Sequence, residues 1–388
     1  MTTLEGTIPE QPKDQGPSSA EPADDGKRSS RSLIWRRFKR HKLAVVSLWI
    51  IIAVYLIAIF ADVLAPRPAA HYNPDYPYAP PQSITVTDPG DGRGLGLYVH
   101  GYTQEFDEVS WNRYYTENPD ELHKLGFFVP SGHEYRFLGL FETDRKVFAP
   151  LEPDAPFYLF GADANGRDIF SRAIYGTQIS MSIGLIGVVL SLIIGITLGA
   201  LAGFFRGPID AVIQRITEVF MSLPTLPLWM ALAAALPRDW GPLTIYFAIT
   251  VLLSLIGWTS LSREVRGRVL TLRSEDYVVA ARLDGASRAR VIRRHILPSL
   301  TSHIIASVTL AVPAMILAET SLSFLGLGLQ PPIVSWGVLL QEAQNIRSVI
   351  TAPWLLIVPS AAVVISTLAL NFLGDGLRDA ADPYEGAK

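Results

Sequence analysis

The chain has 388 residues, 49% hydrophobic and 18% charged, with a formal net charge of -3. An average soluble domain carries roughly 25% charge; here the deficit is concentrated, and Ala173 to Phe205 is a run of 33 residues without Asp, Glu, Lys or Arg. A soluble helix or strand needs a wet face, so a purely soluble enzyme is excluded. The lack of a basic excess disfavours nucleic-acid binding, and the absence of cysteine excludes disulfide scaffolds, thiol nucleophiles and cysteine-based zinc sites.

Residues 1–30 are rich in Pro, Ser, Asp, Glu and Gly. They cannot bury enough apolar surface to offset their ordering entropy, and are expected to be disordered. Eight basic residues follow between Lys27 and Lys42, leading into the apolar run Leu43 to Leu64. That run is too long and starts too far in for a signal peptide, so 31–65 is expected to be a basic flank and a first transmembrane helix. Residues 66–172 are polar, contain Pro and Gly throughout and hold nine of the fourteen tyrosines. They are expected to form a hydrated insert of loops and short elements. It is either a self-packed domain or an aromatic surface for a partner.

Five further runs qualify as spans: Ile179 to Phe205, Val219 to Pro237, Gly241 to Ser262, Ser299 to Leu327 and Ser348 to Gly374. About 20 helical residues cross a hydrocarbon core of ~30 Å. Val219 to Pro237 is the weakest, because it contains Pro224 and Pro227. The expected fold is an all-α polytopic membrane protein of six helices with a large insert between the first two. Residues 173–377 form its core and 378–388 a cytoplasmic tail. The N-terminal flank, the loop holding Arg206 and Arg215, and the nine arginines between Arg263 and Arg294 fall on one side. The positive-inside rule then places both termini in the cytoplasm and the insert outside.

The cytoplasmic segment 263–298 reads as a helix, a Gly-centred turn at Gly285 and a second helix capped by Ser287 and stopped by Pro298. Ala280 and Ala281 lie one turn before Asp284 and Gly285, so small side chains share a face that another protein can approach. On the residues alone, an ordinary basic loop is the plainer account. The spacing of Ala280-Ala281, Gly285 and Leu297-Pro298, however, resembles the EAA loop of ABC-importer permeases. Gly161-Ala-Asp-Ala-Asn-Gly-Arg-Asp168, Tyr175-Gly-Thr-Gln-Ile-Ser180, Glu319 to Pro332 with Ser335-Trp-Gly337, and Asn371 to Pro383 resemble elements of the C-type permease subunit of the dipeptide/oligopeptide family. Val279 stands where the eponymous Glu would fall, Ala162 replaces a Thr, and Gln178 replaces an Arg.

The resemblance implies an inner-membrane permease that pairs with a homologous permease, two ATPase subunits and an extracytoplasmic binding protein. Its coupling helix would dock on the ATPase, with Val279, Ala280, Ala281, Asp284, Gly285, Ala286, Ser287, Arg288, Leu297 and Pro298 at or beside the contact. Arg288 and Arg290 would either pair with acids there or serve as topogenic charge. Close relatives carry dipeptides, longer peptides, oligosaccharides or nickel complexes. ATP and magnesium would reside in the partner ATPases, and no cofactor or metal is expected in this chain. It has no phosphate-binding Gly-x-x-x-x-Gly-Lys-Ser/Thr loop, and no His-Glu-x-x-His or Gly-x-Ser-x-Gly element. A secondary transporter would show inverted repeats and paired intramembrane charges, and a membrane-anchored enzyme a convergent acid/base set in 66–172; neither is evident.

Glu319 is the one carboxylate inside an apolar span, where charge is costly and usually faces a cavity or partner. It is a path-lining group, a member of an ion pair with the partner permease, or an anchor at the membrane boundary. Ser321 and Ser323 are further candidates to line the path, although hydroxyls also bond back to helix carbonyls. Asp163, Asn165 and Asp168 do not fit the EF-hand spacing and read better as a turn that starts a helix.

Overall fold

The computed structural model describes residues 30–87, 95–106, 113–137, 141–237 and 239–381; most of both expected tails lies outside them. The helices are α1 (Ser30–Arg40), α2 (Lys42–Ile59), α3 (Ala61–Leu64), α4 (Ile169–Phe205), α5 (Gly207–Ser222), α6 (Thr225–Ala234), α7 (Pro242–Leu272), α8 (Asp276–Leu283), α9 (Arg288–Val291), α10 (Leu297–Ser299), α11 (Thr301–Phe324), α12 (Trp336–Glu342), α13 (Ile346–Thr351) and α14 (Trp354–Ala381). A π-helical turn, Ile292–Ile296, joins α9 to α10.

Five of these, α2, α4, α7, α11 and α14, are long and apolar enough to cross a membrane. The expected span Val219 to Pro237 is instead a bent pair, α5 and α6, whose axes meet at 89°. Pro224 explains the break. The residue before a proline is pushed out of the helical region, and Leu223 is extended at φ -90°, ψ 136°. The described chain therefore has five spans, or six if the bent pair counts as one.

α4 has 37 residues, about 55 Å of helix, and joins the two ends of the bundle. Its glycines bring it against α7. A Cβ at Gly195, Gly199 or Gly203 would lie 3.0, 2.5 or 2.8 Å from the carbonyl oxygen of Trp258, Ser262 or Arg266. Both series repeat every four residues, so one ridge of backbone lies along another. Without a hydrophobic drive between helices in lipid, such small-residue contacts let backbones approach and hold by close packing.

The all-α expectation is corrected in the insert. Residues 84–150 include a four-stranded antiparallel meander in the order β1 (Ile84–Thr87), β2 (Gly96–Phe106), β3 (Arg113–Phe137), β4 (Phe141–Pro150). Bulges break the register between His100 and Gly101 and between Pro130 and Tyr135. The tyrosines pack together: Tyr76, Tyr102, Tyr115 and Tyr158 form a cluster in which Tyr102 and Tyr115 have ring centroids 5.6 Å apart. The Gln82 amide ties the sheet to the chain leading into α4, donating to the His100 and Pro156 carbonyls and accepting from the Tyr158 N–H.

Candidate functional site: the Gly285 turn and two polar nodes

At the bundle end remote from the insert, α8, the turn after it and α9 pack on the ends of α4 and α7. Val278, Val291, Ile296 and Leu300 are buried with Ala200, Val265 and Val269 in one apolar cluster. Arg273 donates to the Phe204 carbonyl at 3.1 Å, and the Arg288 guanidinium lies 5.4 Å from the centre of the Phe205 ring. Arg266 grips Asp210 with two bonds of 2.6 Å, fixing α5 to α7. The segment is thus one piece with the spans above it.

The expected turn is present. Asp284 closes α8, its N–H donating to the Ala280 carbonyl. Gly285 has φ +80°, a region that side chains enter only at a cost. The Ala286 N–H returns to the Ala281 carbonyl at 3.1 Å. The Ser287 hydroxyl accepts from the Arg290 N–H and caps α9. Pro298 carries no N–H. Just before it, the Leu297 N–H reaches back five residues to the Ile292 carbonyl, which is the π-turn.

Val279, Ala280, Asp284, Gly285, Ser287, Arg288 and Pro298 are exposed, while Ala281, Ala286 and Leu297 are half-buried. Sequence reasoning missed Leu283, which is 82% exposed beside the open Gly285, where an added Cβ meets nothing within 4 Å. The guanidinium-bearing residues Arg282, Arg288, Arg290, Arg293 and Arg294 are exposed around it. Leu283 is thus an exposed apolar side chain in a segment of exposed arginines, with the exposed Asp284 next to it.

Two polar nodes sit in the other half. In the first, the turn Ala162 to Asp168 starts α4. Asp168 accepts from the Phe170 and Ser171 N–H groups, capping the helix. Asp163 Oδ1 accepts from the backbone N–H of Asn165 and Arg167, and its Oδ2 takes Arg167 Nε and Arg172 Nη1, both at 2.6 Å. Arg172 and Arg167 also bind Glu342 of α12. Burial raises the Glu342 carboxyl, but Arg172 and then Arg167 outweigh it and hold the group below its ordinary value. Gly166 allows the turn to close: a Cβ there would lie 1.8 Å from the Asn73 carbonyl oxygen. The three residues weighed for calcium therefore build a helix start clamped by arginines. Among the described residues no group of three or more metal-ligating side chains converges.

The second node is Glu319, fully buried in α11. Its carboxyl group accepts from Ser323 and Ser335 at 2.8 Å and from Ser180 at 3.2 Å. The same serines accept backbone N–H groups of Leu329, Val338 and Trp336. Glu319 thus gathers α4, α11, α12 and the loop between the last two. Ser323 is buried in this node, whereas Ser321 is exposed and bonds back to the Leu317 carbonyl.

Several long apolar helices with an interior held by small residues and buried polar nodes define a multi-pass membrane protein. Residues 195–384 match the family model described as binding-protein-dependent transport system inner membrane component, and residues 29–81 match that of the N-terminal transmembrane domain of oligopeptide transport permease C. The chain is 36% identical over 261 residues to the oligopeptide transport system permease protein OppC of Bacillus subtilis, covering 67% of this chain and 81% of that one. It is 32% identical over 356 residues to the dipeptide permease DppC of Lactococcus lactis, covering 90% and 89%, a match long enough to take in most of the insert. It is 40% identical over 262 residues to the glutathione permease GsiD of Pectobacterium atrosepticum, covering 68% and 83%. The chain belongs to the family of binding-protein-dependent transport system inner membrane components. It is a permease component rather than the catalytic part of its transporter.

Proposed function

We propose that this chain is one of two homologous permease subunits of an ATP-driven peptide importer. All three relatives named above are permeases for peptides, which supports that substrate class over oligosaccharides or nickel complexes. In this reading α5 and α6 together complete a sixth span. Both termini and the coupling segment are cytoplasmic, and the sheet-bearing insert is outside, where a binding protein delivers substrate.

The observation that carries the reading is the arrangement about Gly285. A leucine left 82% exposed at the tip of a segment whose other face is packed into α4 and α7 is an anchor without its pocket. Fully burying such a side chain is worth about 2 kcal/mol. Two ATPase subunits, holding ATP and magnesium, would close on this segment and its counterpart, tilting the spans as rigid bodies. Val279, in place of a carboxylate, suits an apolar contact, and the surrounding arginines suit an acidic rim. Ser321 is the candidate to face the path. Glu319 and Ser323, enclosed by their own chain, support the path wall from behind.

The test is purification and uptake. The chain should co-elute with an ATPase subunit, and proteoliposomes of the complex should accumulate labelled peptide only with ATP and binding protein. Uptake by the chain alone, or uptake of oligosaccharide in preference to peptide, overturns the reading.

A further inference from the structure

The β3–β4 hairpin of the insert ends beside the span α2. Phe137 closes β3 and Phe141 opens β4, and the two are direct partners in the antiparallel register, so their side chains leave the same face of the sheet. Phe137 stacks on Phe60, with ring centroids 5.7 Å apart and planes inclined by 23°. Phe60 is the C-terminal cap of α2. A second tether lies next to it. The Lys146 ammonium of β4 donates to the Asp62 carbonyl at 2.5 Å and sits 3.9 Å from the centre of the Tyr135 ring. Asp62 belongs to α3, the turn that follows α2. Aromatic stacking and an ammonium bond therefore fix this end of the hairpin at the level where the span stops.

Exposed apolar side chains gather there, with the exposed Glu142 beside them. Leu56, Ile59 and Phe60 continue the outward face of α2, and Phe141, 65% exposed, extends that face into the sheet. The 18 residues of α2 make about 27 Å of helix, close to the ~30 Å hydrocarbon core. Phe60 then lies at the boundary between acyl chains and headgroups, the depth at which aromatic side chains collect.

We infer that the end of the insert marked by Phe137 and Phe141 is a membrane-interface anchor, and that its occupant is the bilayer surface itself. The apolar patch adjoins the exposed apolar side chains of α2, a span by length and composition, which distinguishes it from an isolated aromatic on a wet sheet. Phe141 dips into the headgroup boundary, and the hairpin fixes the height of the insert above the membrane. This goes beyond the transport reading and requires only that α2 crosses the bilayer.

The native chain contains no cysteine, so a nitroxide on Phe141→Cys reports that position alone. The full chain, with the subunits that co-purify with it, is placed in phosphatidylcholine–phosphatidylglycerol nanodiscs. Spin relaxation is then compared for oxygen, which partitions into lipid, and a water-soluble nickel chelate. Phe106→Cys serves as reference, because Phe106 pairs with Arg113 at the opposite end of β3 from Phe137. Both phenylalanines are exposed, so neither substitution empties a core. Oxygen should dominate several-fold at 141 and the chelate at 106. Dominance of the chelate at 141 would show the hairpin end in water, and protection from both reagents would show a protein surface over it; either result overturns the proposal.

Discussion

Arg172 places one guanidinium nitrogen 2.5 Å from Glu342 Oε2 and the other 2.9 Å from Oε1, joining the first turn of α4 to α12 across 170 residues of chain. The same guanidinium binds Asp163. Arg172 is 1% and Asp163 2% exposed, so these two charges depend on the node for their solvation. Arg172→Met leaves Asp163 and Glu342 with Arg167 as their one remaining cation, and loss of one partner of a buried pair costs about 3–5 kcal/mol. Thermal unfolding of the purified complex should show a large fall for Arg172→Met, and the double variant with Glu342→Gln should recover part of it. An unchanged melting temperature would show that the node is not what holds α4 to α12.

Leu283 and Gly285 separate docking from folding. Neither packs on this chain's own core, so Leu283→Asp should leave thermal stability within about 0.5 kcal/mol of wild type. It should weaken retention of the ATPase subunit by roughly tenfold or more, the equivalent of ~1.4 kcal/mol. Pull-down at increasing salt measures this. Retention equal to wild type would remove Leu283 from the contact.

At Gly285 the added Cβ has room but the backbone does not favour it. Gly285→Ala should cost about 1–2 kcal/mol of local strain and reduce uptake modestly. Gly285→Trp should abolish uptake while membrane insertion persists. Peptide uptake and membrane-fraction yield, measured side by side, discriminate the two. Full uptake by the Trp variant would mean that nothing approaches the turn.

Glu319 accepts from three serines, and its replacement tests a positioning role. Glu319→Gln retains an acceptor oxygen and should be milder than Glu319→Ala, which also leaves a cavity. Each buried polar group left unsatisfied costs ~1–3 kcal/mol. The expected order of melting temperature is wild type, then Gln, then Ala. Equal stability of all three would mean that the serines find other partners without loss.

Lys146 gives a pH signature. Burial pulls its ammonium down from 10.5 to about 8, with the Asp62 carboxylate offsetting only part of the effect. Between those values the unfolded chain holds a proton that the folded chain has released, so stability rises with pH across that window. Melting temperatures of wild type and Lys146→Met, taken from pH 7 to pH 10, should therefore diverge in favour of wild type as pH increases. A constant difference would show that the amine titrates as it does in water.

The long apolar runs and the basic segments were legible because the bilayer imposes length and the loops carry the charge. The turn at Gly285 was legible because a glycine between two helical patterns has few other uses. The turn at Asp163 to Asp168 was legible as a helix start and does begin α4; the burial of Arg172 in the first turn was not, because hydropathy rejects a charge there. The sheet was hidden because β3 contains Pro119, Gly126 and Pro130, which break the alternation that marks a strand. The Arg172–Glu342 pair and the exposure of Leu283 depend on tertiary placement, and no local pattern announces either.

The Gly195–Gly199–Gly203 seam between α4 and α7 runs into the apolar cluster under α8 and α9, sharing Val265 and Val269 with it. Side chains absorb displacement by changing rotamer; a seam made of backbone has no such slack. A push delivered at Gly285 would meet two helices that can translate only together, like one beam rather than two. The place to introduce compliance is therefore not the Gly285 turn but the seam, where Gly199→Ala would add a single methyl group and open a joint.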